Sequence, residues 1–245
     1  DFPETQKWAL GLAECYVQQR GYGDPVTLDA LFSAAQACGL CGKLRQATVL
    51  YCKVFYFRKK VLGSTHPDTL TAMHEVATHT QWDDYKKRRR LQEAYELRCQ
   101  VLGDADPDTL HSLDCLAWAC EALEDYEIAL NYHHKSVRTK ILKGYRVSSN
   151  SLKSIADIYG KLGDTEREKR WRESEFAMKR SSVGEDPIDN AEQVSAMLDY
   201  WLEAAEDENF YYDTYGLRAG CVSGFLADAG LRLWYRSKPA QRSGG

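Results

Sequence analysis

The side chains most able to do chemistry are a basic run, a cysteine pair and a histidine pair. Lys86-Lys87-Arg88-Arg89-Arg90 is the densest charge in the chain. Five adjacent cations offer a patch for an acidic partner or phosphate; a solvated helix face neutralised by Asp83, Asp84 and Glu93 is the plainer reading. Cys38-Gly39-Leu40-Cys41 is a C-x-x-C, yet no second such pair follows it to complete a zinc ligand set. His133 and His134 are adjacent, about 100° apart around a helix, so they do not make the i, i+4 pair that shares a metal. They are expected on an exposed helix face. No nucleophile elbow, phosphate loop, H-E-x-x-H or dinucleotide fingerprint occurs, so no catalytic residue, metal or cofactor is expected.

The aromatic stretch Phe210-Tyr211-Tyr212-Asp213-Thr214-Tyr215 stands out near the end. It reads as part of a cap over the last open apolar face of an array. The sharper alternative is an aromatic surface, through Phe210, Tyr211, Tyr212 and Tyr215, that docks a partner or closes over a small ligand.

The elements that must carry these groups follow from internal repetition. Three segments align: Gly21 to Pro25, Gly63 to Pro67 and Gly103 to Pro107. Each places Asp or His before the proline and continues to a Thr-Leu pair, Thr27-Leu28, Thr69-Leu70 and Thr109-Leu110. A glycine ends one helix in a left-handed conformation, Asp caps the next, and proline starts it without wasting a donor. Helical period fills the spaces. Leu110, Leu113, Leu116, Ala117, Cys120 and Leu123 follow i, i+3 and i+4 spacing, and Tyr126, Ala129, Leu130 and Tyr132 open a second helix. A fourth copy keeps Leu152, Ala156, Tyr159, Leu162 and Gly163 but lacks the opening; Gly184 to Pro187 suggests a fifth.

A unit of this length opening with His/Asp-Pro-x-Thr-Leu resembles the tetratricopeptide repeats of kinesin light chains. The resemblance covers residues 21 to about 180 and implies an all-α, right-handed solenoid of antiparallel helix pairs. Residues 1–20 then form the second helix of a truncated leading repeat, residues 21–182 four repeats, and residues 183–245 a partial fifth with capping helices and a flexible tail. Ala35, Ala77, Ala117 and Ala156 recur where a larger side chain would push the paired helix away. The resemblance further implies a concave face, lined by first helices, that binds a peptide or protein. Such repeats carry a backbone-clamping asparagine two positions before the alanine. Here those positions hold Ser33, Glu75, Cys115 and Ser154. The clamp itself is missing, and Glu75 would favour a basic partner.

Bulk properties agree with a binding scaffold. A net charge of -4 and a pI near 5.9 do not favour nucleic acid, beyond an RNA alternative through Lys86–Arg90. No apolar run approaches the roughly 20 residues that span a bilayer. Asp1-Phe2-Pro3-Glu4 has no signal-peptide character, and the chain reads as a fragment or processed product. The eight cysteines fall mostly at apolar helical positions, which fits free thiols and a cytoplasmic location. The rival to the scaffold is an enzyme or small-molecule sensor with a pocket between the helices and the aromatic C-terminal segment.

Overall fold

A computed structural model describes residues 2–183 of the chain, which divides into two compact units, Asp1–Met178 and Lys179–Gly245. The fifth repeat start and the aromatic residues Phe210, Tyr211, Tyr212 and Tyr215 lie outside the described residues.

The described residues form helices α1 (Phe2–Arg20), α2 (Pro25–Leu40), α3 (Leu44–Val61), α4 (Pro67–His79), α5 (Asp84–Leu102), α6 (Pro107–Ala122), α7 (Tyr126–Leu142), α8 (Ser149–Lys161) and α9 (Thr165–Val183). Among them there is no strand. The three matched openings work as their residue types require. Pro25, Pro67 and Pro107 each begin a helix, capped by Asp24, His66 and Asp106. The Asp24 carboxylate accepts from the Val26 and Thr27 N–H groups, Asp106 from Asp108 and Thr109. His66 does the same work with a ring nitrogen, Nδ1 accepting the Asp68 N–H at 3.2 Å. Gly63 and Gly103 precede these caps at φ 93° and 91°, a region that glycine enters without a Cβ penalty.

From α1 to α8 each helix packs on its sequence neighbours, and the first helices of successive units also meet, α4 against α6 and α6 against α8. Ala35, Ala77, Ala117 and Ala156 are all buried at these pairings. An apolar cluster of Ala13, Leu28, Ala30, Leu31, Ala34, Val54 and Ala72 joins α1 to α4. No helix among the described residues is long and apolar enough to cross a membrane.

Two details concern α1 and the α4–α5 turn, and a third departs from the sequence reading. In α1, Trp8 is 78% exposed and Leu12 also faces solvent, while Gln6 and Ala13 are buried instead. Gln6 is satisfied there, its oxygen accepting from Lys43 at 2.8 Å and its amide donating to Gln46 and the Cys38 thiol. In the second unit Thr80 is the C-cap of α4; the chain then turns, the Trp82 N–H donating to the Thr80 carbonyl at 2.8 Å, before Asp83 caps α5. Thirdly, His133 and His134 are buried, not exposed. The inward face of α7 runs through Ala129, Leu130, His133, His134 and Val137, so helical period places both rings in the packing. Burial lowers both pKa values, to about 4 and about 3, so the rings are buried as neutral groups. His134 stacks on Trp171 of α9 with centroids 5.4 Å apart.

Candidate functional site

The first-helix row is populated as expected but not equally available. Ser33 on α2 is exposed, and its hydroxyl donates to the Asp29 carbonyl one turn back. Glu75 on α4 is mostly covered, with its carboxylate 3.3 Å from His79 Nδ1; burial, and then the Glu75 charge, raises the pKa of the Tyr51 hydroxyl. Ser154 on α8 accepts the Trp118 indole N–H from α6 at 3.2 Å. Cys115 on α6 sits 3.8 Å from His74 Nε2 on α4. Three of the four side chains are therefore engaged by neighbouring residues.

The basic run opens α5, with the Asp83 carboxylate capping the Lys86 N–H. Lys86 pairs with Asp83 and Arg90 with Glu93, both at 2.9 Å, and Arg88 reaches Asp125 just before α7. Three of the five cations are thus spent on acids of the same chain, and Arg88 ties successive second helices together.

Two features escaped the sequence reading. The first is a pair of buried arginines near the ends of second helices. Arg98 on α5 is 1% exposed. It donates to the Asp108 carbonyl at 2.7 Å, to Ser112 Oγ at 2.7 Å and to Thr71 Oγ1 at 3.1 Å. Arg58 on α3 makes the matching contacts, to Asp29 Oδ1 and the Asp68 carbonyl. Asp29 and Thr71 each follow the repeat leucine, and each carbonyl lies ten residues beyond its arginine. So in two successive units an arginine clamps its second helix, α3 or α5, to the first helices before and after it. Burial lowers the Arg98 pKa from the ordinary arginine value, opposed by Asp108 and Glu75, yet an arginine keeps its charge in either case.

The second feature is a cluster at the α4/α6 seam. His74, His111 and Cys115 bring one ligand atom each within 4.8 Å of one another. His74 is buried, its Nδ1 is 3.1 Å from Ser112 Oγ, and its ring lies 5.0 Å from the exposed His111 ring. Burial, then Arg98 and His111, lowers the His74 pKa to about 3, so the ring is neutral. Burial, then Asp114 and Glu75, pushes the Cys115 thiol up to about 12. One signal was available in sequence: His111 and Cys115 stand i, i+4 on one helix, the spacing that shares a ligand. Cys38 and Cys41 show no such company, and all seven described cysteines are free.

Solved structures share this arrangement of helix pairs. A crystal structure from Podosopora anserina, titled a kinesin light chain with nearly identical TPR-like repeats, matches 76% of this chain and 89% of its own at 19% identity and TM-score 0.61. A second structure of that protein matches at 20% identity and TM-score 0.58, covering 74% of this chain and 88% of its own. The fold is a kinesin-light-chain-like tetratricopeptide solenoid. BtubC (BKLC) from P. vanneervenii also matches the solenoid, across 100% of this chain and 96% of its own, at 16% identity and TM-score 0.55. No protein-family model matches the sequence, and no curated protein matches it. Identities this low carry the fold of the solenoid and nothing about what it binds.

Proposed function

We propose that the protein is a binding scaffold that holds a peptide or protein partner along its first helices. The observation that carries this reading is the solenoid itself: stacked helix pairs repeat a row of side chains, Ser33, Glu75, Cys115 and Ser154, at equivalent first-helix positions. Recognition would come from shape fit and a few buried anchors rather than from a backbone clamp. Glu75 favours a partner with a basic side chain. The free thiols favour a reducing, cytoplasmic setting. The basic run supports this reading less, because three of its cations already have acids.

The test is selection of binding peptides from a displayed library on the 245-residue chain, followed by titration against the double variant Glu75→Lys, Ser154→Arg. With helix content unchanged by circular dichroism, the variant should bind the selected peptides at least tenfold more weakly. Equal affinity for the variant would place recognition elsewhere on the molecule.

A further inference from the structure

We propose that His74, His111 and Cys115 form a binding site for one divalent transition-metal ion of the zinc class. Two imidazoles and one thiolate are a borderline-soft donor set, suited to zinc and to cobalt as its spectroscopic substitute. Zinc bond lengths imply a nitrogen-to-sulfur separation of about 3.6 Å in a tetrahedral site. His74 Nε2 and Cys115 Sγ are 3.8 Å apart, so two ligands need almost no movement. The third, His111, is exposed and can turn the remaining distance.

The surroundings orient the buried ligand. Arg98 can only donate, and it uses one lone pair of Ser112 Oγ. The other lone pair can accept from His74 Nδ1–H at 3.1 Å. That tautomer turns the Nε2 lone pair toward Cys115, the outer-shell arrangement by which metal-bound histidines are fixed. Binding forms the sulfur–metal bond and sends the Cys115 thiol proton to solvent. The Arg98 charge opposes a cation here, but Glu75 and Asp108 act on Arg98 with opposite sign, and the thiolate adds a further negative charge. Three protein ligands leave a fourth position for water or a partner's side chain. The site stands on this seam alone and does not depend on the peptide-binding reading.

The experiment is a cobalt(II) titration of the reduced, chelator-treated 245-residue chain, read by absorbance and by zinc competition. The expected result is one equivalent of cobalt with a thiolate-to-metal charge-transfer band, displaced by zinc. Cys115→Ser should abolish the band, and His111→Ala, at an exposed position that spares the fold, should weaken binding by more than tenfold. Cys52→Ser, an exposed thiol elsewhere, should change neither. Zinc should also raise the melting temperature of the parent but not of Cys115→Ser. A parent chain without the band, a band that survives Cys115→Ser, or unchanged affinity in His111→Ala would each overturn the proposal.

Discussion

Replacing Arg98 with alanine removes a side chain of α5 that bonds to both α4 and α6. Its guanidinium makes three charge-assisted bonds, to the Asp108 carbonyl, Ser112 and Thr71. A bond to a charged group contributes about 1.5–3 kcal/mol, but the three share one donor, and loss of the whole group leaves buried acceptors unsatisfied. Breaking a buried charge network of this kind costs about 3–5 kcal/mol. The Asp108 carboxylate adds little, because it stands 3.9 Å away and is 58% exposed. Arg58→Ala should cost less, about 1–3 kcal/mol, because its side-chain partner Asp29 is 68% exposed and can rehydrate. Arg98→Met keeps the buried stem and isolates the polar loss. Urea unfolding followed by far-ultraviolet circular dichroism reads all three. An Arg98→Ala penalty under about 1 kcal/mol, or one smaller than that of Arg58→Ala, would refute the clamp.

Three further outcomes follow from the packing. Ala117→Phe inserts a ring at a fully buried pairing of first and second helices and should destabilise by roughly 1–3 kcal/mol in the same urea assay. Glu124 holds φ 61° at the turn where the first and fourth units place Gly42 and Gly163. Glu124→Gly should therefore stabilise slightly, by up to about 1 kcal/mol, and Gly42→Ala should destabilise by a similar amount. Acid should weaken the fold through His133 and His134, whose pKa values are lowered by burial. The unfolded chain takes up protons below its ordinary histidine pKa of about 6.5 while the folded rings stay neutral. Their stability is thus whole above pH 6.5 and falls toward pH 4, by about 1.4 kcal/mol per ring at pH 5.5; His133→Leu should flatten that slope in pH-dependent urea unfolding.

The fold was legible because its punctuation is local. Gly103, Asp106 and Pro107 each act on backbone groups within four residues, so residue type alone specifies where one helix stops and the next begins. The small residue that lets helices close up, such as Ala117, repeats for the same reason. The second unit shows the limit: its turn lacks the glycine, and α4 stops at a Thr80 C-cap instead. The register of α7 was also in plain view, since Ala129, Leu130 and Val137 mark one face. Histidine's polar character hid the consequence that His133 and His134 complete that face.

The candidate site was hidden for a different physical reason. Arg98 is acceptable inside the protein only because Thr71 comes from the helix before it and Ser112 from the helix after it, and no window of sequence contains all three acceptors. His74 and Cys115 are 41 positions apart, one more than the 40-residue offset between their units, so repeat alignment places them in neighbouring units without showing that they touch. In a stacked array, residues one repeat apart are spatial neighbours by construction. A search for ligand sets in repeat proteins should therefore combine i, i+4 spacing within a first helix with the repeat offset between helices. Applied to this chain, that rule joins His111 and Cys115 to the α4 residues around Glu75, where His74 supplies the third ligand.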